Sequence, residues 1–342
     1  RATLAIVRKP VRSGIIGLLM LMVFTSLVAQ VGVSTALQKM SDDIGRSMGI
    51  GFTVDTGENP ASLKEASRFS RIPGVGKTTI AMAFSHVLGL SYNRLQFTPD
   101  VLPSDITGFS MYDKNTGSFR YVPGAAMTNF LLADEINRAS PKTQSALLEV
   151  MQEGRISIDG NTHNVPQPFI VMATQNPVGS SGTQELPESQ TDRFMVRLTV
   201  GYPRKEDELQ ILKGTHLTKP SDLTPVITAS QLLTLRQEAA SVHVDDSLYA
   251  YMVSIANATR TSESITLGIS PRGTMALASM TKAHACLAGR DYAVPDDILQ
   301  VAADTLPHRI LLSGKARREG ETAFTVLQSI LRTLPLPRLT EE

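Results

Sequence analysis

The run Pro73-Gly74-Val75-Gly76-Lys77-Thr78-Thr79 sets two glycines, a lysine and two hydroxyls side by side. Glycines let backbone amides curl toward an anion, and the N-terminus of a following helix adds the positive end of its dipole. At this spacing Gly74, Val75, Gly76, Lys77, Thr78 and Thr79 read as a phosphate-binding loop. Lys77 would reach the β- and γ-phosphates, and the Thr78 hydroxyl would sit on Mg²⁺. The plainer reading is a glycine turn before a helix. The full pattern asks for a further glycine where this chain has Arg71.

A second stretch supplies acid. In Asn129-Phe130-Leu131-Leu132-Ala133-Asp134-Glu135 an apolar run ends in two carboxylates. A buried parallel strand reads this way, with its C-terminal edge presenting the acids. Asp134 would hold Mg²⁺ through its water shell, and Glu135 would orient and polarise an attacking water. The alternative is a strand that closes in a solvated acidic turn. Phosphoryl transfer asks for placed charges and a placed water more than for covalent chemistry.

Three further residues join this set. Asn176 follows the apolar run Phe169-Ile170-Val171-Met172-Ala173, and at a strand tip it could bond the water or the γ-phosphate; equally, it is turn chemistry before Pro177. Arg193, in Leu186-Pro187-Glu188-Ser189-Gln190-Thr191-Asp192-Arg193-Phe194 at a helix end, is a candidate arginine finger for a neighbouring subunit's γ-phosphate, or a salt-bridge partner of Asp192 or another nearby acid. Arg272 sits at the start of a helix signalled by Ser270-Pro271, facing a nucleotide cleft or open solvent.

Other elements must place these groups. Thr79 to Gly89 reads as a helix with Ile80, Ala83, Phe84 and Val87 on its core face. Leu95-Gln96-Phe97 begins a short strand. Residues 107–122 read as a hairpin with Asp113-Lys114-Asn115-Thr116-Gly117 at its tip. A helix runs from Asn137 through Glu153 with Leu147, Leu148 and Met151 as its apolar face. A second hairpin follows, turning at Asp159-Gly160. Beyond residue 216 the pattern is helical, over Ala229 to Ser241, Asp245 to Thr259, Ser270 to Ala288 and Pro295 to Thr305, with no strand-like run; Gly314 to Gly320 is a basic, exposed tail.

This ordered set resembles the MoxR family of AAA+ ATPases. The matching words are Leu131-Leu132-Ala133-Asp134-Glu135-Ile136-Asn137-Arg138-Ala139, Lys142-Thr143-Gln144-Ser145-Ala146-Leu147-Leu148-Glu149, Ala173-Thr174-Gln175-Asn176-Pro177 and the run from Leu186 to Phe194, within a likeness extending from about Pro73 to the C-terminus. The resemblance implies an α/β P-loop core followed by an all-α lid, and ATP and Mg²⁺ as substrate and cofactor. It makes Asn176 sensor 1 and Arg272 sensor 2. It also implies a homo-oligomeric ring, a hexamer, that remodels a client, with a von Willebrand factor A domain protein as a partner. The two hairpins become family inserts facing the ring pore or partner.

The first 60 residues look like a different protein. Arg8, Lys9 and Arg12 precede an apolar run over residues 14–33, long enough to span a hydrocarbon core with its basic flank on the cytoplasmic side. A signal-like segment and a buried helix are the alternatives. Residues 1–50 also resemble the first transmembrane segment of FtsX-like permeases. Ala66-Ser67-Arg68-Phe69-Ser70-Arg71-Ile72 lacks the apolar run that normally feeds a phosphate loop, so the first strand reads as weak or missing and ATP binding as poor. The expected organisation is therefore an N-terminal segment over 1–60, an ATPase core over 61–215 and a lid over 216–342. The second function class in view is a non-catalytic, membrane-tethered module. A net charge of +1 argues against nonspecific nucleic-acid binding, the single Cys286 excludes an internal disulfide, and six histidines lie without metal-ligand spacing. The ATPase domain is expected in the cytoplasm, with an anchor at 14–33.

Overall fold

A computed structural model describes residues 77–175, 186–198, 209, 212, 213 and 223–337, with side chains from residue 81 onward. The expected membrane segment, linker, first strand and loop glycines lie outside the described residues. No described helix is long and apolar enough to cross a membrane. The chain divides into two compact units, one of Val75–Gln190 with Lys219–Ala229, the other containing Thr191–Thr218 and Ser230–Glu342.

The first unit is built on a parallel sheet. Helix α1 (Lys77–Val87) leads to β1 (Tyr92–Gln96), and the described sheet has the order β1, β4 (Phe130–Asp134), β7 (Ile170–Ala173). Strand β1 ends one residue short of Phe97, which is fully buried. Every residue of β4 is buried, as a central strand covered on both faces requires. Ala81, Ala83, Phe84 and Val87 of α1 are also buried. Register is parallel and unbroken, with Gln96 opposite Asp134 and Ala133 opposite Ala173.

Past β4 the chain does not go straight into the expected helix. Ile136–Arg138 forms a short 3-10 turn, and α3 (Pro141–Glu153) starts only after Ser140, whose hydroxyl accepts the Thr143 N–H. Ser140 followed by Pro141 is a strong start signal, and it wins over the earlier Asn137. The buried face of α3 is Thr143, Gln144, Leu147, Leu148 and Val150, with Met151 only half-buried.

Both hairpins form. A short helix α2 (Pro103–Thr107) precedes β2 (Gly108–Asp113) and β3 (Ser118–Pro123), which pair antiparallel, as do β5 (Arg155–Ile158) and β6 (Asn161–Asn164). Asp159 and Gly160 carry φ of 49° and 78°. Two consecutive left-handed residues match the strand twist, which explains the Asp-Gly pair. The hairpins touch through stacked rings, Tyr121 on His163 at 3.8 Å.

Helix α4 (Glu188–Thr191) closes the Val75–Gln190 stretch of the first unit, its last residue falling in the second; the second unit holds α5 (Ala229–Ser241, from Ser230 on), α6 (Asp246–Thr261), α7 (Pro271–Leu287), α8 (Pro295–Thr305), α9 (Gly314–Arg318) and α10 (Ala323–Thr333). Asp245 and Ser270 cap the helices after them. Leu248, Ile255, Met280, Ile298, Val301 and Leu306 are completely buried at its centre. The helical reading is corrected at one place. β8 (Ile265–Leu267) and β9 (Leu311–Leu312) pair antiparallel. Segments of three and two residues are too short to show a period-2 pattern, so only the fold reveals them. The basic tail is exposed as expected, yet Ala316 is buried and Arg317 is tied to the Leu312 carbonyl at 2.9 Å.

Two buried aspartates of α8 contrast in charge. Asp297 accepts from Arg290 at 2.6 and 2.8 Å, from Val294 N at 2.8 Å, and faces His284 Nδ1 at 2.6 Å. Burial alone would raise its pKa, but the hydrogen bonds from His284, Arg290 and Val294 outweigh it and hold the carboxyl below its ordinary value. Asp304 Oδ1 has no hydrogen-bond partner, and burial pushes that carboxyl up to about 7. Its proton is kept by the fold and released by the unfolded chain between about pH 4 and pH 7, so its contribution to stability falls as pH rises through that window. Asp304→Asn should therefore melt close to the parent at pH 4 and increasingly above it toward pH 8, with a gain on the order of 1–3 kcal/mol. Thermal melts of both proteins across pH check this; a gain that is independent of pH would refute the neutral carboxyl.

Candidate nucleotide site

The acidic pair sits where the sheet ends. Asp134 is the last residue of β4 and is 8% exposed. Its Oδ1 accepts the Thr174 hydroxyl at 2.5 Å. Its Oδ2 accepts Arg94 Nε at 3.1 Å and a terminal guanidinium nitrogen at 2.7 Å. Arg94 lies on β1 opposite Leu132, two residues before the position facing Asp134, so strand alternation puts both on one face. The Arg94 side chain is 45% exposed, so this ion pair adds little stability, about 1 kcal/mol or less. Its main effect is to fix the carboxylate's orientation.

Glu135 is in the left-handed region, φ 58° and ψ 44°. For a residue with a side chain this costs about 1–2 kcal/mol. The conformation turns the chain sharply off the strand, and a hydrogen bond holds it there, the Glu135 N–H donating to Thr174 Oγ1 at 2.9 Å. One hydroxyl thus serves both acids, donating to Asp134 and accepting from the Glu135 backbone. Beside it, Thr174 N donates to Ala133 O and Ile136 N to Thr174 O. Gln144 Nε2 reaches back from α3 to the carbonyls of Ile136 and Ala139, at 3.2 and 3.1 Å, and pins the turn. The Glu135 carboxylate accepts Arg138 at 3.0 Å and stays near the edge.

Of the residues singled out from the sequence, Asp134 and Glu135 are brought together at this edge. Lys77, Thr78 and Thr79 form the first turn of α1, though their side chains, Gly74, Val75, Gly76 and Asn176 lie outside the described residues. Arg193 and Arg272 belong to the other unit. Arg193 is half-buried in the turn after α4, and Arg272 is exposed in the first turn of α7. Asp192, next to Arg193 in the chain, bonds Arg309 at 2.7 Å and Ser270 at 2.8 Å.

Sequence reading missed Thr174, Arg94 and Arg309. A hydroxyl directly after an apolar strand run was available as a signal for Thr174. A charge in the middle of Tyr92-Asn93-Arg94-Leu95-Gln96 was one for Arg94, because a charged residue in a sheet strand needs a partner. The donor chemistry fits Mg²⁺. Carboxylate oxygens are hard ligands, and no cluster of three or more His, Cys, Asp or Glu that could hold a metal occurs among the described residues. Mg²⁺ binds through one or two carboxylates and the substrate's own phosphates, and needs no such cluster.

Comparison with known proteins agrees with this geometry. Residues 68–196 match the model of the ATPase family associated with various cellular activities, and residues 257–330 match an AAA lid domain. Neither match includes residues 1–50, whose permease likeness is without support. The uncharacterized protein YeaC of Bacillus subtilis is 47% identical over 267 residues, covering 78% of this chain and 83% of that one. Chaperone MoxR1 of Mycobacterium tuberculosis is 40% identical over 277 residues, covering 78% of this chain and 73% of its own length. A crystal structure from Cytophaga hutchinsonii, provisionally named an ATPase, superposes with a TM-score of 0.75 at 32% identity, over 89% of this chain and 96% of that one. A parallel sheet ending in Asp134-Glu135, a helical unit matching the lid model, and relatives alike over most of their length place this chain in the MoxR family of AAA ATPases.

Proposed function

We propose that this chain binds and hydrolyses ATP and uses the turnover to remodel or mature a partner protein. The observation that carries the reading is the Thr174 hydroxyl shared by Asp134 and the Glu135 backbone at the end of a fully buried strand. Two acids are held where the buried strand runs out and charge can reach solvent, and Glu135 bears a left-handed backbone that turns it off the strand at a cost of about 1–2 kcal/mol. The name of the Mycobacterium relative supports the chaperone half. A ring of six copies and a client carrying, or bound with, a von Willebrand factor A domain complete the proposal.

The roles follow from charge and reach. The amides of Gly74 to Thr79 and the ammonium of Lys77 bind the phosphates; Asp134 and Thr78 hold Mg²⁺, which when bound neutralises charge on the β- and γ-oxygens. Glu135 aligns the water and takes up its proton. Asn176 steadies the same water or the γ-phosphate. Arg193 completes the site of the next subunit, and Arg272 senses nucleotide from the lid. Arg94 keeps the Asp134 carboxylate turned to the edge before nucleotide arrives. A second reading, a module that binds nucleotide poorly, draws on Arg71 and on the polar run before Gly74. Calorimetry with ATP separates the two, since the second requires weak binding and a gain when residues 61–72 are rebuilt as an apolar strand with glycine at 71.

Glu135→Gln should keep nucleotide binding within about twofold and lower turnover by about a hundredfold or more, because the amide keeps the shape and loses the base. Radiolabelled ATP hydrolysis at the parental rate would remove Glu135 from its role. Thr174→Val keeps the shape but leaves Asp134 and the Glu135 N–H without their shared partner. Its kcat should fall about ten- to a hundredfold with binding little changed. Arg193→Ala should bind nucleotide but turn it over about a hundredfold or more slowly, leaving a small residual rate. Mixing it with Glu135→Gln should restore part of the activity, since some interfaces then pair an intact Arg193 with an intact Glu135. No recovery in the mixture would place Arg193 within its own subunit.

A further inference from the structure

One buried cation in the second unit has no part in the chemistry above. Arg309 follows α8 in the 3-10 turn Pro307–Arg309, and its side chain is 1% exposed. All five of its N–H groups are used. Nε donates to the Thr305 carbonyl at 2.9 Å. One terminal nitrogen donates to the Asp192 carbonyl and to Asp192 Oδ1, the latter at 2.7 Å. The other donates to the carbonyls of Phe194 at 2.6 Å and Met195 at 3.3 Å. The residues before and after Arg193 are therefore both fastened to one guanidinium. His308 Nε2 adds a contact to the same Phe194 carbonyl at 3.0 Å.

Asp192 carries the connection onward. The Ser270 hydroxyl donates to its carboxylate at 2.8 and 3.0 Å, while accepting the Gly273 N–H at 3.1 Å as the N-cap of α7. Arg272 lies between cap and glycine. A Cβ at Gly273 would stand 2.9 Å from Arg309 Cδ and 2.7 Å from Ile269 Cγ2. The glycine thus gives the Arg309 stem its path. Three segments far apart in sequence meet here: the one bearing Arg193, the helix start bearing Arg272, and the end of α8.

We propose that Arg309 is a positioning residue for ATP turnover. Through Asp192 and Ser270 it holds the Arg193 segment and the first turn of α7 as one rigid piece, so that the two arginines are set together. The proposal rests on the roles given above to Arg193 and Arg272. A lone lysine could replace the charge, but not a planar fork that bonds four carbonyls and a carboxylate at once.

The test uses the full chain with Arg309→Lys, Ser270→Ala and Ser270→Thr, each alone and with Arg193→Ala. Turnover is followed over an ATP titration, and backbone hydrogen exchange over residues 192–196 and 271–274. Arg309→Lys should lower kcat about tenfold or more per folded molecule, and in the Arg193→Ala background it should lower the residual rate by less than about twofold further, because setting Arg272 together with Arg193 has no effect once Arg193 is gone. Exchange should quicken in both segments together. Ser270→Ala, which leaves the buried cation in place, should show the same pattern more weakly, and Ser270→Thr should restore the parent. This second series decides the matter if Arg309→Lys does not fold. Losses that multiply with Arg193→Ala, or parental kcat beside a lowered melting temperature, mean that the cluster only stabilises the fold and overturn the proposal alone. Parental turnover by Arg193→Ala itself overturns the role given to that arginine, and the proposal with it.

Discussion

Burial of β4 on both faces is the constraint from which the first unit follows. With Phe130, Leu131, Leu132 and Ala133 sealed from water, backbone groups on both edges must be met by neighbouring strands. β1 and β7 do this in parallel register. A carboxylate inside that layer would be costly, so charge is tolerated only where the strand runs out. Asp134 and Glu135 stand at that point. The neighbours that supply backbone pairing also supply the groups that orient the acids, Arg94 from β1 and Thr174 from just beyond β7. Packing and site are in this sense one arrangement.

The second unit handles buried charge by a different rule at each position. Asp297 and the Asp192–Arg309 pair are surrounded by partners. Burial lowers the pKa of Arg309, while Asp192 pulls it back toward its ordinary value. Asp304 Oδ1 is buried without a hydrogen-bond partner, and His308 reaches the Phe194 carbonyl through Nε2 while its Nδ1 has none. Burial pushes Asp304 up to about 7 and His308 down to about 4, the latter helped by repulsion from Arg309. Both are driven toward their neutral forms. Within a few residues of one helix end the fold thus keeps some groups ionised and others neutral, and the number of available hydrogen-bond partners makes the difference.

The hairpins show how a rigid scaffold carries more exposed parts. Phe109, Met111, Tyr112 and Phe119 of the first hairpin are all exposed, Phe119 by 73%. Yet its base is fixed, since the Tyr121 hydroxyl donates to the Thr107 carbonyl at 2.6 Å while its ring stacks on His163. Apolar side chains thus reach solvent from a root anchored to the second hairpin, which itself continues α3 and so the turn after Glu135.

The sequence by itself determined what is local. Ser140-Pro141 and Ser270-Pro271 mark helix starts because a hydroxyl can take an orphan amide and proline has none to offer. Asp159-Gly160 marks a hairpin turn, and an apolar run ending in two acids marks the edge of a buried strand. Helices at Ala229–Ser241 and Pro295–Thr305 are written in the spacing of their apolar residues. The tertiary structure decided which polar groups answer one another. Nothing near Asp134 in the chain calls for Arg94 or Thr174, each 40 positions away, and Asp192 is flanked by an arginine while it pairs with Arg309, 117 positions on. β8 and β9 likewise exist only because distant segments come side by side. Local patterns follow from backbone geometry, which every few residues report. A buried charge takes whichever partner the packed chain brings within about 3 Å, and that depends on the whole fold.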